Sequence, residues 1–126
     1  MTRYRLYAVR VFTFNWEESL TFYRDVVEFP LVYSDPTIGW AQFQLGESFI
    51  GLERCDPDDE EAQDLVGRFV ATSIEVAKIN GVYQELLNRG VEFTSTPTRQ
   101  PWGGVLAHFK DPDGNVLTLL GTDDHA

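Results

Sequence analysis

Cysteine is nearly absent from this chain: Cys55 stands alone among 126 residues. That excludes an intrachain disulfide framework and a cysteine-rich zinc site. Cationic residues are also scarce, ten Lys and Arg against twenty Asp and Glu, for a formal charge of −10. No nucleic-acid partner is expected, because such affinity comes largely from neutralising phosphates. No apolar run approaches the roughly eighteen residues of a membrane span. The N-terminus alternates tyrosine and arginine rather than opening on an apolar stretch. Neither a transmembrane helix nor a signal peptide is read from it, so a soluble cytoplasmic protein is expected. What is present suffices for a core: hydrophobic residues make up 43% and aromatics 13%. A domain of this size needs no metal or disulfide to hold it together.

The charge is concentrated. Residues 53–67 hold seven acids and one base, net −6. This stretch, with Pro57 embedded in it, reads as a solvated connector 54–67 within one domain 1–126, between modules 4–53 and 68–121. A docking patch for a cationic partner is the other reading of it. The flanks repeat one order. In the first, an apolar alternation over Leu6–Thr13 leads into a helix over Trp16–Glu28, with Asn15 as N-cap and Glu18 as its capping-box partner. Extended runs follow at Leu31–Ser34, Trp40–Leu45 and Ser48–Glu53, the last two joined by a tight Gly46-Glu47 turn. In the second, Arg68–Glu75 is extended and Ile79, Val82, Tyr83 and Leu86 form a helical stripe that Gly90 ends. Strands follow at Val91–Thr94, Val105–Phe109 and Val116–Leu120, with Asp111-Pro112-Asp113-Gly114 turning between the last two. Both halves read βαβββ, an α+β arrangement. Each is too thin to close a core alone, so the two are expected to pack together.

The stretches "NWEESLTFYRDVVEF", "VYQELLNRGVEF" and "WGGVLAHFKDPDGNVLTLL" resemble the vicinal oxygen chelate superfamily. That group includes glyoxalase I, extradiol dioxygenases, fosfomycin-resistance enzymes and bleomycin-resistance proteins. The resemblance runs from about Leu6 to Leu120. It implies two modules that curl into halves of a cup around a cavity. In glyoxalase-like members a divalent metal sits there, held by His and Glu from the first and last strand of each module. Carried over, those positions fall on Ala8, Gly51 (with Glu53 two residues on), Ala71 and Thr118. Alanine and glycine have no donor atoms in their side chains, and threonine is a poor ligand beside carboxylate or imidazole. The expectation is a protein without metal or cofactor, nearest in type to the metal-free bleomycin-resistance-like members. Neither histidine restores the site. His125 is in the tail, and strand parity, with the hairpin symmetric about Pro112-Asp113, turns His108 away from Thr118.

With Ala8 facing the cavity, Leu6, Arg10 and Phe12 face it too, while Tyr7, Val9 and Val11 pack under the helix. Pairing Leu45 with Ser48 sets Trp40, Gln42 and Gln44 beside Phe49, Gly51 and Glu53 on that face, and leaves Ala41, Phe43, Ile50 and Leu52 for the core. The second module is expected to offer Phe69, Ala71 and Ser73, then Val105, Ala107 and Phe109, then Val116, Thr118 and Leu120. The expected ligand-binding set is Arg10, Phe12, Trp40, Gln42, Glu53, Phe109 and Thr118: aromatic walls with sparse polar handles, as small-molecule pockets have. Trp40 and Phe109 as plain core, and Arg10–Glu53 as a plain structural pair, are the competing readings. Arg99 and Trp102 form either a lid or a structural loop.

Three functions follow. One is sequestration of a small aromatic or amphipathic molecule in the inter-module cavity. The second is a lyase- or dioxygenase-like enzyme with a non-standard site, using Glu53 and Arg10 for acid–base work. The third is a dimeric interaction module with a vestigial pocket. A homodimer is expected, since related proteins commonly complete their cavities across one. Cys55, set among carboxylates that disfavour its thiolate, is not read as a nucleophile.

Overall fold

The computed structural model describes residues 2–121, in two compact units that meet between Val66 and Gly67. The first unit runs β1 (Ala8–Thr13), α1 (Trp16–Thr21), β2 (Leu31–Asp35), β3 (Trp40–Leu45), β4 (Ser48–Arg54) and α2 (Glu60–Leu65). Asn15 starts α1 as expected: its Oδ1 accepts the Glu18 N–H at 3.3 Å. The α-helix does not continue to Glu28. It widens into a π-helical turn over Phe22–Val26, and Phe29 N–H then closes on the Tyr23 carbonyl at 2.8 Å with Glu28 left-handed at φ 65°. Tyr23, on this turn, has no exposed surface; its ring lies 5.7 Å from Phe29 and 5.9 Å from Phe43, centroid to centroid. The sheet is mixed, in the order β1-β4-β3-β2, with β1 parallel to β4 and the other pairs antiparallel. Val11, Ala41, Phe43, Ile50 and Leu52 are buried on its core side. They alternate with the residues expected to face a ligand.

The second unit runs β5 (Phe69–Glu75), α3 (Ile79–Asn88), β6 (Glu92–Phe93), β7 (Thr98–Arg99), β8 (Val105–Lys110) and β9 (Val116–Gly121). Its sheet has the order β5-β9-β8-β6, with β5 parallel to β9 and β7 pairing with the far end of β8. Ile79 and Leu86 of α3 are buried. Gly121 makes room for the helix, since a Cβ there would lie 2.7 Å from Cβ of Ile79. The two mixed sheets with their helices match the βαβββ order read from the sequence.

Two elements escaped the sequence reading. Inside the acidic stretch, Asp59 accepts the Glu61 N–H and α2 turns Ala62 inward, so part of the expected connector is a capped helix. The two-residue β7 is too short to carry a periodic signal.

The β8–β9 hairpin corrects an expectation. Val105 pairs with Gly121, Ala107 with Leu119 and His108 with Thr118, one residue out of the symmetric register. The cause is the turn. The N–H groups of Asp113 and Asn115 both donate to Asp111 Oδ1 at 2.9 Å, Asp111 N–H bonds the Asn115 carbonyl, and Gly114 takes φ 84°. A three-residue loop with a left-handed glycine closes the strands one place further along than a two-residue turn would. His108 therefore shares a face with Thr118, and Phe109 does not. No helix among the described residues is long and apolar enough to cross a membrane.

Candidate functional site

The open face of the first sheet is built in rows. Ala8, Phe49 and Gln44 form one row; Arg10, Gly51, Gln42 and Tyr33 the next; Phe12, Glu53, Trp40 and Asp35 the third. Five of the expected site residues, Arg10, Phe12, Trp40, Gln42 and Glu53, are brought together here. The benzo end of the Trp40 ring reaches over Gly51, so that a Cβ on Gly51 would overlap Cη2 of the indole. Trp40 Nε1–H donates to Gln42 Oε1 at 3.3 Å, and Gln42 Nε2 donates to the Tyr7 hydroxyl at 2.9 Å. The ring is thus held by a relay of two hydrogen bonds and remains half-buried. Beside it, Arg10 Nη1 meets Glu53 Oε1 at 3.0 Å, and the guanidinium carbon stands 5.2 Å from the centre of the Phe12 ring. The pair is solvated, with side chains 58% and 36% exposed. It is a polar handle on the surface, contributing roughly 0–1 kcal/mol to stability.

Tyr7 departs from strand parity, which places it under the helix. β1 begins at Ala8, so the alternation does not extend back to Tyr7. Its ring packs on Phe49 with centroids 5.0 Å apart, and its hydroxyl reaches Gln42. It belongs to the open face.

In the second unit, Thr118 Oγ1 lies 2.8 Å from His108 Nδ1. Ser73 pairs with Thr118 across β5–β9, and Phe69 sets its ring edge-on to the imidazole at 5.5 Å. Phe109 pairs instead with Leu117. Its fully buried ring packs on Phe93, which in turn packs on Tyr83 of α3. It is core of this unit rather than part of the Thr118 face, and Val105 and Ala107 go with it. Ala71 is displaced as well. β5 places three residues between Phe69 and Ser73 against the one between Val116 and Thr118, and Ala71 sits in that bulge, exposed, at φ 63°. Trp102 lies over Gly104 in a turn closed by Gln100 and is 65% exposed; Arg99 is in β7. His125 lies outside the described residues.

The residues at the four positions carried over from metal-binding relatives do not fit a divalent ion. Ala8, Gly51 and Ala71 offer no donor, the space above Gly51 is filled by indole, and the Thr118 oxygen is engaged by imidazole. Glu53 is paired with Arg10. Among the described residues, no group of three or more His, Cys, Asp or Glu is gathered so as to hold a metal.

Three similarities bear on this geometry. The uncharacterized protein YraH of Bacillus subtilis (strain 168) is 26% identical over 123 residues, 91% of this chain and 96% of its own. The metallothiol transferase FosB of Shouchella clausii is 31% identical over 108 residues, 83% of this chain and 71% of its own. The crystal structure of TnmS3, an antibiotic binding protein from Streptomyces sp. CB03234, superposes with a TM-score of 0.78 at 26% identity, covering 98% of this chain and 99% of that one. Residues 5–119 match the family profile itself, and the chain belongs to the Glyoxalase/Bleomycin resistance protein/Dioxygenase superfamily.

Proposed function

We propose that this chain is a metal-independent binding protein that holds a small, flat aromatic molecule against the open face of its first sheet. The observation that carries the proposal is the Trp40 ring lying over Gly51. At a position where metal-binding relatives place a ligand side chain, this chain has no side chain and a tryptophan platform instead. A half-buried indole, positioned by Gln42, offers apolar area with little rotamer entropy left to lose. Arg10 and Glu53 stand at its edge and give an acceptor-bearing or cationic substituent a partner. The likeness to an antibiotic binding protein supports sequestration of a ring-bearing compound.

The likeness to a metallothiol transferase supports the enzymatic alternative. The donor set argues against it here, because the positions concerned hold Ala8, Gly51, Ala71 and Thr118. A homodimer is part of the proposal, and sedimentation equilibrium at micromolar concentration tests it; a single 14 kDa species would remove it.

The binding test is a tryptophan-fluorescence titration with naphthoate and related ring compounds, repeated on Trp40→Phe and Arg10→Met, with the recovered compound checked for chemical change. Saturable binding of unchanged compound, weakened by roughly 1–3 kcal/mol when the indole is removed, is expected. Affinities that neither substitution alters would move the function off this face, and product formation would restore the enzyme.

A further inference from the structure

We propose that His108 is a directional hydrogen-bond donor on the second unit, selecting ligands that carry a carbonyl or carboxylate oxygen. The inference rests on the small-molecule reading above but on different residues. Thr118 is 3% exposed, and His108 Nδ1 is its hydroxyl's only partner among the described residues. A buried hydroxyl whose proton reaches no acceptor carries a desolvation cost. If Nδ1 bore the imidazole proton, the Thr118 hydroxyl would accept it and its own proton would be stranded. The satisfied arrangement is the reverse: Thr118 O–H donates to Nδ1, and the neutral ring carries its proton on Nε2. That Nε2–H has no partner among the described residues.

The surroundings suit a ring-bearing ligand with an acceptor. Phe69, 57% exposed, meets the imidazole edge-on and presents the rest of its ring to whatever lies beside it. Leu106 and Leu120, paired with each other one row along from His108 and Thr118, share this face. Ser73 is exposed directly across from Thr118 and supplies a second hydroxyl in the same row. The chemistry is that of an aryl ketone or aryl carboxylate: apolar area against Phe69, and one oxygen accepting from Nε2–H. The one-residue register of the β8–β9 hairpin creates this row; in the symmetric register His108 would have faced the core.

The test has two arms. Imidazole nitrogen NMR of the free protein should show His108 protonated on Nε2, and Thr118→Val, which removes the hydroxyl at nearly constant volume, should release that preference. A His108 ring protonated on Nδ1 in the native protein would overturn the assignment. In the second arm, calorimetry compares acetylnaphthalene with ethylnaphthalene, which differ in one acceptor oxygen. Wild type should prefer the ketone by about tenfold, the scale of one partly buried hydrogen bond. His108→Phe should abolish the preference while leaving ethylnaphthalene affinity within about twofold. Equal affinity of wild type for both probes overturns the assignment of His108 and leaves the binding function standing. Failure to bind either probe counts against both.

Discussion

At Gly51 and Trp40, one missing Cβ decides what kind of surface the first sheet presents. Gly51 has an ordinary backbone conformation, so alanine there meets no φ restriction, only the ring above it. Gly51→Ala is therefore expected to fold and to push the indole off the strand, breaking the 3.3 Å bond to Gln42. Tryptophan emission should shift red, ring-compound affinity should fall at least as far as in Trp40→Phe, and stability should drop by about 1 kcal/mol in urea unfolding. An unchanged spectrum would mean that the ring was never seated. A second residue-scale prediction concerns charge. Arg24 Nε and Nη2 each hydrogen-bond one oxygen of Asp25 at 2.8 Å, and this bonding, more than the bare attraction, holds the Asp25 carboxyl below its ordinary 3.8. A depressed carboxyl contributes stability above its unfolded value and loses it as pH falls through the folded one. The pair is solvent-exposed, with side chains 43% and 52% exposed, so that contribution is small. Carboxyl NMR should show Asp25 titrating lower in wild type than in Arg24→Gln.

At the scale of elements, what the sequence made legible was periodicity, and what it concealed was register. Val11, Phe43, Ile50 and Leu52 could be assigned to the core because alternation survives any small error in strand ends. The face of His108 could not, because a hairpin's register depends on whether the turn holds two residues or three, and Asp-Pro-Asp-Gly-Asn is compatible with both. Asn115 decides it. Its side-chain oxygen accepts from the N–H groups of Gly67 at 2.8 Å and Arg68 at 3.3 Å, while its amide donates to Asp111 Oδ2 at 2.9 Å. One buried side chain thus ties the hairpin to the start of β5. Asn115→Ala removes these three hydrogen bonds and should cost about 3 kcal/mol, more than Pro112→Ala at the exposed proline of the same turn. Equal losses in the two variants would deny Asn115 that role. The bulge at Ala71 was hidden for a similar reason: parity cannot be read through inserted residues. Left-handed alanine is strained by roughly 1–2 kcal/mol. Ala71→Gly should raise stability by about 0.5–1 kcal/mol once glycine's greater chain entropy is allowed for, and Ala71→Val should lower it.

At the scale of the whole molecule, the chain is similar both to a metallothiol transferase and to an antibiotic binding protein, so family membership leaves the chemistry to particular side chains. In the proposed sites those side chains are indole, guanidinium paired to carboxylate, and imidazole paired to hydroxyl. None of the pairings leaves a cluster of open donors. The acidic stretch 53–67, net −6, is the other place where cations would collect, and it would do so weakly and without regard to coordination geometry. Thermal unfolding separates the two cases. A ligand present at a hundred times its dissociation constant stabilises the native state by about 2.7 kcal/mol. For a chain of this size that is a rise of several degrees in Tm. Chelator should leave Tm unchanged within about a degree. Zinc, nickel, manganese or iron should produce at most a small shift that added salt abolishes, because loosely held counterions are screened. A rise of several degrees that survives salt and disappears in Glu53→Ala would mean that Glu53 leaves Arg10 to bind a metal, and the site would have to be rebuilt around it.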